Sequence, residues 1–395
     1  MSCPHCRQTA GYHDDRERTL VGLCGAVRYR RAYYYCRGCG KGFAPFDERA
    51  GITSRARTPA VERLATLAGG VGESFARGAE LLHETAGIRL GESTARRTTA
   101  GAGRRIAALR GRGVVFGPAK DWGWHHDARR RTVAHFTVDA TGTRQQGPGG
   151  AAAEGRMAYV AGVYNPRPPD WVAPAGLAAP PLRARYLSGL YAVKALGLLL
   201  RRPAAQVGME RAELWVALTD GGNGLEEFCQ TNFNRADLVV ILDFYHAANY
   251  LQELARALYP PDEAKRQEQA EQWCRLLKAE GGATTPAVLR EWDRPVRKSA
   301  ALREQWAKVE TYFANNRHRM DDPEYEAEGW QIGSGVVESA CKTVVGQRLK
   351  GAGKRWGEDG AHARCHVRAL YRSAKGQWDA FWTRHWIETK DYQLN

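Results

Sequence analysis

No stretch of the chain approaches the roughly 18–20 uninterrupted apolar residues that a membrane-spanning helix needs. Its opening, Met1-Ser2-Cys3-Pro4, starts a metal-type motif and not a secretory signal. A soluble, cytoplasmic protein with no membrane partner is expected. Acidic side chains are the minority: 43 Asp and Glu stand against 58 Lys and Arg, for a formal charge of +15. The excess is mostly arginine, whose planar fork suits bidentate phosphate contacts. A polyanionic partner is the natural inference, although a high-GC genome that encodes arginine wherever lysine would serve gives the same count. A disulfide framework is also disfavoured, because the 9 cysteines are odd in number and no export signal accompanies them. What the chain does have is bulk. Its 395 residues, 43% hydrophobic with 12 tryptophans, suffice for about two or three folded units.

Four cysteines fall into two Cys-x-x-Cys pairs, Cys3/Cys6 and Cys36/Cys39, separated by an alternating stretch that reads as a hairpin. Each pair turns two sulfurs toward one tetrahedral centre, so residues 1–48 are expected to form a zinc ribbon holding structural Zn2+. His5 and Cys24 are spare candidates that read better as ordinary turn residues. The hairpin interleaves Tyr29, Tyr33, Tyr34 and Tyr35 with Arg28, Arg30 and Arg31. That pattern suits nucleic-acid contact and equally a half-buried strand. From residue 55 to 112 the spacing turns helical, with breaks at Gly69-Gly70 and Gly87, which gives about three short helices of helix-turn-helix rhythm. Ser93 or Thr94 would cap the third, which carries Arg96, Arg97, Arg104 and Arg105; a packing module without DNA contact fits the same pattern. A Gly-, Trp- and His-rich connector follows. Its adjacent His125 and His126 would point to opposite faces of an extended chain, which favours a loop over a metal site.

Strand-like runs then end at Asp139, at Asp220 and at Asp243, with a hairpin around Gly147–Gly150, helical spacing over Leu187–Leu200 and a short helix over Leu225–Asn232. One more strand fits near Arg183–Leu187. Unbroken apolar strands argue for a sheet covered on both faces, and parallel strands would bring the carboxylates at their ends side by side. Two such charges repel unless a cation sits between them, and magnesium is the oxygen-seeking ion that fits. Taken singly, an Asp at a strand end is usually a turn residue. Glu338 lies on a helix expected after Gly333-Ser334-Gly335, with Val337, Ala340, Cys341 and Val344 as its buried stripe; an exposed Glu338–Lys342 ion pair is the plain alternative.

The stretch Tyr312–Met320, then Ile332-Gly333-Ser334-Gly335-Val336-Val337-Glu338-Ser339-Ala340-Cys341-Lys342, resembles the hallmark of DDE-type insertion-sequence transposases of the Kra type, related to Mutator-like elements. The similarity continues through Gly346–Lys350, Arg355-Trp356 and Thr219–Gly222, and Asp243-Phe244-Tyr245-His246 matches an accessory motif of the wider superfamily. One departure is Ala140 after Asp139, where the family pattern has Gly. The resemblance implies an α/β, RNase H-like catalytic core over 130–246, a helical insertion over 247–330 and closing helices over 331–390. Trp273, Trp292 and Trp306 read as the insertion's core, with stacking on DNA as the alternative. It implies Asp139, Asp220 and Glu338 as the catalytic acids, with Asp243 and His246 accessory. Two Mg2+ (or Mn2+) ions would lie roughly 3.5–4 Å apart, Asp139 bridging both. Arg348, Lys350, Lys354 and Arg355 would hold phosphates beside the scissile bond. The implied activity is cleavage of double-stranded DNA at transposon terminal inverted repeats and strand transfer into target DNA, by a nucleoid-associated homodimer or larger synaptic assembly. A catalytically silent or regulatory DNA-binding protein that uses only the ribbon and the helices is the alternative.

Overall fold

The computed structural model describes residues 1–52, 56–166, 183–222, 224–290, 299–333, 335–374 and 376–383. Trp292, Ser334 and the end of the 331–390 segment therefore lie outside the described residues. The fold is mixed α/β, and the chain divides into two compact units. One holds Met1–Pro118, Thr143–Gly155 and Val344–Asn395; the other holds Ala119–Gly142 and Arg156–Thr343.

In the first unit, strands β1 (Gly11–Gly22) and β2 (Gly25–Cys36) form the hairpin between the two Cys-x-x-Cys pairs, and β3 (Lys41–Phe43) adds an antiparallel edge. The hairpin tyrosines serve this small body. Tyr34 packs on Phe43 and the cysteine cluster, and Tyr29 donates to Asp47, which also accepts from Arg31. Helices Pro59–Val71, Phe75–Ala86 and Glu92–Gly111 follow. The first two start as their sequences require: Thr58 and Ser74 accept backbone N–H groups of Val61 and Arg77. Gly87, at φ 64°, closes the second helix in the left-handed conformation.

Two local expectations fail here. The third helix is capped by Gly91, one residue before Glu92, not by Ser93 or Thr94. Gly69 and Gly70 do not break the first helix but lie inside it, because neighbouring side chains come too close for a Cβ there: Thr99 at 2.3 Å and Val367 at 2.8 Å, respectively. Helix Glu92–Gly111 packs along Glu358–Arg372, around a core of Ile106, Leu109, Val367, Leu370, Phe381 and Trp382.

The second unit is built on a sheet of strand order β7-β6-β5-β8-β9, namely Arg183–Gly189, Ala152–Asn165, Thr132–Gln146, Leu214–Thr219 and Leu238–Leu242. A two-residue strand β4, His125–His126, pairs with β5. β5 runs parallel to β8, and β8 parallel to β9, while β6 and β7 are antiparallel. The strand expected near Arg183 is present. The helical reading of Leu187–Leu200 is corrected: Leu187 to Gly189 finish β7, and the helix spans Leu196–Gln206. Asp139 is likewise not at a strand end. β5 continues to Gln146 as one arm of a hairpin, and only its ladder with β8 stops, at the pair Val138–Thr219.

Helices Phe244–Leu258, Glu263–Arg290, Ala300–Asn316 and Asp322–Ala327 form the insertion. Trp273, at 1% exposure, and Trp306 are buried in its core with Leu251, Leu254, Val309 and Phe313, as the sequence indicates. No described helix is long and apolar enough to cross a membrane.

A tight helix approach in the first unit can be tested at Gly103. A Cβ there would stand 2.1 Å from the carbonyl oxygen of Ala363, whereas one at Gly111 would meet nothing within 4 Å. Helix propensity alone favours alanine at either place by about 0.5–1 kcal/mol. Steric overpacking, at about 1–3 kcal/mol, outweighs it at the first. In urea unfolding, Gly103→Ala should therefore destabilise and Gly111→Ala should leave stability equal or slightly raised.

Candidate functional site

The metal-type motif closes as its spacing requires. Cys3, Cys6, Cys36 and Cys39 place their sulfurs within 4.8 Å of one another, with Cys3–Cys39 at 3.6 Å and Cys6–Cys36 at 3.5 Å. Four soft sulfur donors around one point suit a structural metal such as zinc. Cys24 is exposed and is not part of this group, and neither is His5.

Asp139 and Asp220 lie at one end of the β5–β8 ladder. Because Val138 pairs with Thr219 on parallel neighbours, Asp139 and Asp220 each follow one member of the last pair. Asp139 is 9% exposed, and its two oxygens accept from the Ala140 N–H at 2.6 Å and from the Cys341 thiol at 3.1 Å. Burial is the largest influence on its carboxyl and pushes it above the usual carboxylate range. The thiol bond opposes that shift, the negative charge of Asp220 adds to it, and His246 counters it. Asp139, Asp220 and His246 thus share one electrostatic environment.

Asp220 caps its own turn by accepting the Gly222 N–H at 2.8 Å. Gly221 between them sits at φ 76°, and a Cβ there would come within 2.8 Å of Leu242, so glycine is required. The Tyr312 hydroxyl donates to the Asp220 carbonyl at 3.2 Å, and Tyr312 stacks on Tyr250 at 3.9 Å. Beneath, the buried Arg319 donates to Thr219 Oγ1 at 2.8 Å and to Asn316, and pairs with Glu226 at 3.2 Å. These groups line an open cleft of about 780 Å³ that also takes in His246.

Asp243 sits at the end of β9 and is 1% exposed. It caps the following helix by accepting the Tyr245 N–H at 2.8 Å, and its own N–H donates to the Thr219 carbonyl. The Phe244 N–H donates to Ile332, which ties the approach to Glu338 to the end of β9. Glu338 lies on the short helix Gly335–Ala340, which continues as a π-helical turn over Cys341–Gly346. Val337, Ala340, Cys341 and Val344 are buried, as the stripe implies. Glu338 itself is exposed, and no ion pair joins it to Lys342 among the described residues. Its helix reaches Asp139 through Cys341, one turn on. Among the described residues only the four cysteines bring three or more donors within 4.8 Å; Asp139, Asp220 and Glu338 do not form such a group.

The basic residues divide by burial. Arg96, Arg97, Arg104, Lys350 and Arg355 are exposed. Arg105 packs over the rings of Phe381 and Trp382, at 4.7 and 5.5 Å. Arg348 is 2% exposed and lies 4.4 Å from the Phe75 ring centre and 5.0 Å from that of Trp356. The Lys354 ammonium donates to the Glu73 carbonyl at 2.8 Å. Sequence reasoning did not single out Glu226 or the Cys341–Asp139 bond, and no spacing rule signals either. Arg319 was visible only as part of the stretch Tyr312–Met320.

Two outcomes follow from these geometries. Removing metal with a strong chelator, or replacing Cys36 with Ser, should unfold residues 1–48 and reduce the zinc measured per chain from about one to none. Asp322 is 1% exposed, with one carboxyl oxygen lacking a partner. Burial, aided by the charges of Glu326 and Asp321, raises its pKa from 3.8 to about 7. The fold therefore favours the protonated acid. That contribution is full below the unfolded pKa and is lost as pH climbs through the folded one. Asp322→Asn should flatten the stability profile over this window and raise stability at pH 8 by about 2–4 kcal/mol, read from urea midpoints.

No protein-family model matches the chain, and no curated protein matches its sequence.

Proposed function

We propose that this protein is a DDE-type transposase whose sheet is an RNase H-like core and whose acids are Asp139, Asp220 and Glu338. The observation that carries the reading is the placement of Asp139 and Asp220 after paired residues of adjacent parallel strands, near enough for one charge to alter the other's proton affinity. A hard divalent cation fits this pair. It would reverse the penalty that burial and Asp220 impose on ionised Asp139, and the donors are carboxylate oxygens. Asp139 and Asp220 would hold Mg2+ or Mn2+, and Glu338, on the helix seated against Asp139, would complete the set. Bound in pairs, such ions activate a water or 3′-hydroxyl for in-line attack at phosphorus and stabilise the leaving oxygen.

The chain's own contributions are positional. Arg319 fixes Thr219 and with it the turn that aims Asp220. Gly221 lets that turn pass beneath Tyr312. His246 brings an imidazole to the same cleft, and Asp243 holds the helix that carries it. The net charge of +15 and the exposed Arg96, Arg97, Arg104, Lys350 and Arg355 support double-stranded DNA, terminal repeats and target alike, as the partner. Holding two DNA ends at once calls for a homodimer or larger assembly.

A regulatory DNA binder without cutting activity is the second reading. The exposure of Glu338, outside a tight group with the two aspartates, favours it. One experiment separates the two. Purified protein is incubated with the repeats flanking its own gene, in Mg2+, in Mn2+ and in chelator, with Glu338→Gln and Asp139→Asn alongside. The transposase reading expects metal-dependent nicking and strand joining. Each variant should lose roughly 100-fold or more, about 3 kcal/mol of barrier, with end binding nearly intact. Undiminished cleavage by Glu338→Gln would refute the assignment, and binding without any cleavage would leave the regulator.

A further inference from the structure

The first unit contains a second concave feature that the proposed chemistry does not use. The arm of β5 beyond Gly142, the turn Pro148–Gly150 and the loop Gly351–Arg355 enclose a notch of about 470 Å³. Arg144, Gln146, Gly150, Gly353 and Arg355 line it, with no acidic residue among them. Two backbone hydrogen bonds lock its walls together: Trp356 N–H to the Arg144 carbonyl at 3.2 Å, and Gln146 N–H to the Trp356 carbonyl at 2.8 Å. The Trp356 ring is pinned in turn by its bond to the Leu349 carbonyl. Gly150 at φ 85° and Gly353 at φ 70° hold the rim in a conformation that side-chain-bearing residues resist. The walls are therefore set before any ligand arrives.

The notch is also electrostatically uncompensated. Arg144 and Arg355 are exposed, and neither is paired with a carboxylate among the described residues. Behind Trp356, Arg348 and Arg364 are each 2% exposed and face both Trp356 and Phe75, with all four guanidinium-to-ring distances between 4.4 and 5.0 Å. Nε and one terminal nitrogen of Arg348, and Nε of Arg364, are buried without hydrogen-bond partners. Burial pushes Arg348 down to about 10 and Arg364 down to about 9, the latter helped by the charges of Arg348, Arg96 and Arg104. Glu92 offsets part of the Arg348 charge, but burying two like charges together stays unfavourable unless further negative charge lies close by.

We infer that the Arg144–Arg355 notch is a clamp for the phosphodiester backbone of duplex DNA, a site that positions the strand and reads no base. The two guanidiniums would grip phosphate oxygens and the Gln146 amide would donate a further bond. The inference rests on the DNA reading above, but not on the catalytic acids. Its openness and the exposed Lys350 on the same segment suit a continuing backbone better than an isolated phosphate ion.

The test uses the full-length, zinc-loaded protein and a fluorescein-labelled 30-base-pair duplex of arbitrary sequence, titrated by anisotropy across a salt series. Each phosphate contact contributes about 0.9 to the slope of log affinity against log salt. The double variant Arg144→Ala/Arg355→Ala should lose about 1–2 from that slope. Arg275→Ala, which removes one exposed charge from the other unit, should keep it. Both altered side chains are exposed, and an unchanged melting temperature would confirm folding; Arg144→Gln alone, expected to lose about 1, provides a milder check. An unchanged slope in the double variant, or an equal loss per charge in Arg275→Ala, overturns the clamp while leaving the transposase reading intact. Tighter binding to an RNA duplex at matched salt overturns the DNA assignment. Expected slope losses in a protein that never cleaves DNA support the clamp and remove the enzyme.

Discussion

Val138 and Thr219 are a register pair on parallel strands, so one hydrogen-bond ladder sets how close two negative charges stand. The residues after that pair, Asp139 and Asp220, cannot drift apart without breaking the ladder beneath them. That ladder is buried: Val133, Val216 and Leu218 all have 0% exposure. Burial makes the repulsion matter. In water two carboxylates at modest separation interact weakly, whereas in a low-dielectric site the same separation shifts proton affinity. The hydrophobic effect that stabilises the sheet thus also holds Asp139 where its charged form is disfavoured.

The rest of the second unit offsets this arrangement. Arg319 is held inside by hydrogen bonds to Thr219 and Asn316 and by its ion pair with Glu226, and it delivers one positive charge beneath the Asp220 turn. Arg319 and Tyr312 lie far along the chain from Asp220 and return to it only because the helical insertion folds back. Its core of Trp273, Trp306, Val309 and Phe313 fixes the helix from which Tyr312 reaches the Asp220 carbonyl. The insertion therefore acts as a wall of the cleft as well as a separate packing unit. The zinc-type cluster is independent of this: a small body with few apolar side chains relies on four sulfurs where a larger one would rely on area.

Much of this was legible in the sequence where periodicity and punctuation agreed. The helix Leu225–Asn232, the strand Leu238–Leu242, the cysteine cluster and the buried stripe beside Glu338 all emerge as their patterns imply. The failures have physical causes. Leu187-Ser188-Gly189 are buried at the end of β7, and so short a segment has no period that separates strand from helix. Ala140-Thr141-Gly142 reads as a turn, yet the following alternation of buried Thr143 and Gln145 with exposed Arg144 and Gln146 carries β5 onward. Arginine content signals charge but not direction. Arg105 and Arg348 share the composition of Arg96 and Arg355 and end up against aromatic rings, where long stems and flat heads pack well.

The position of Glu338 follows from a contact that composition could not reveal. Residues three apart on a helix lie on neighbouring parts of one face, so a helix that presents Cys341 to Asp139 must carry Glu338 about one turn away. At Cys341 the helix widens into a π turn, the form taken when one more residue is accommodated per turn than an α-helix allows. The thiol is also the weaker partner for a carboxylate, compared with a cation or a charged donor. Asp139 is accordingly oriented by the Ala140 N–H and the Cys341 thiol, while burial still disfavours its charged form.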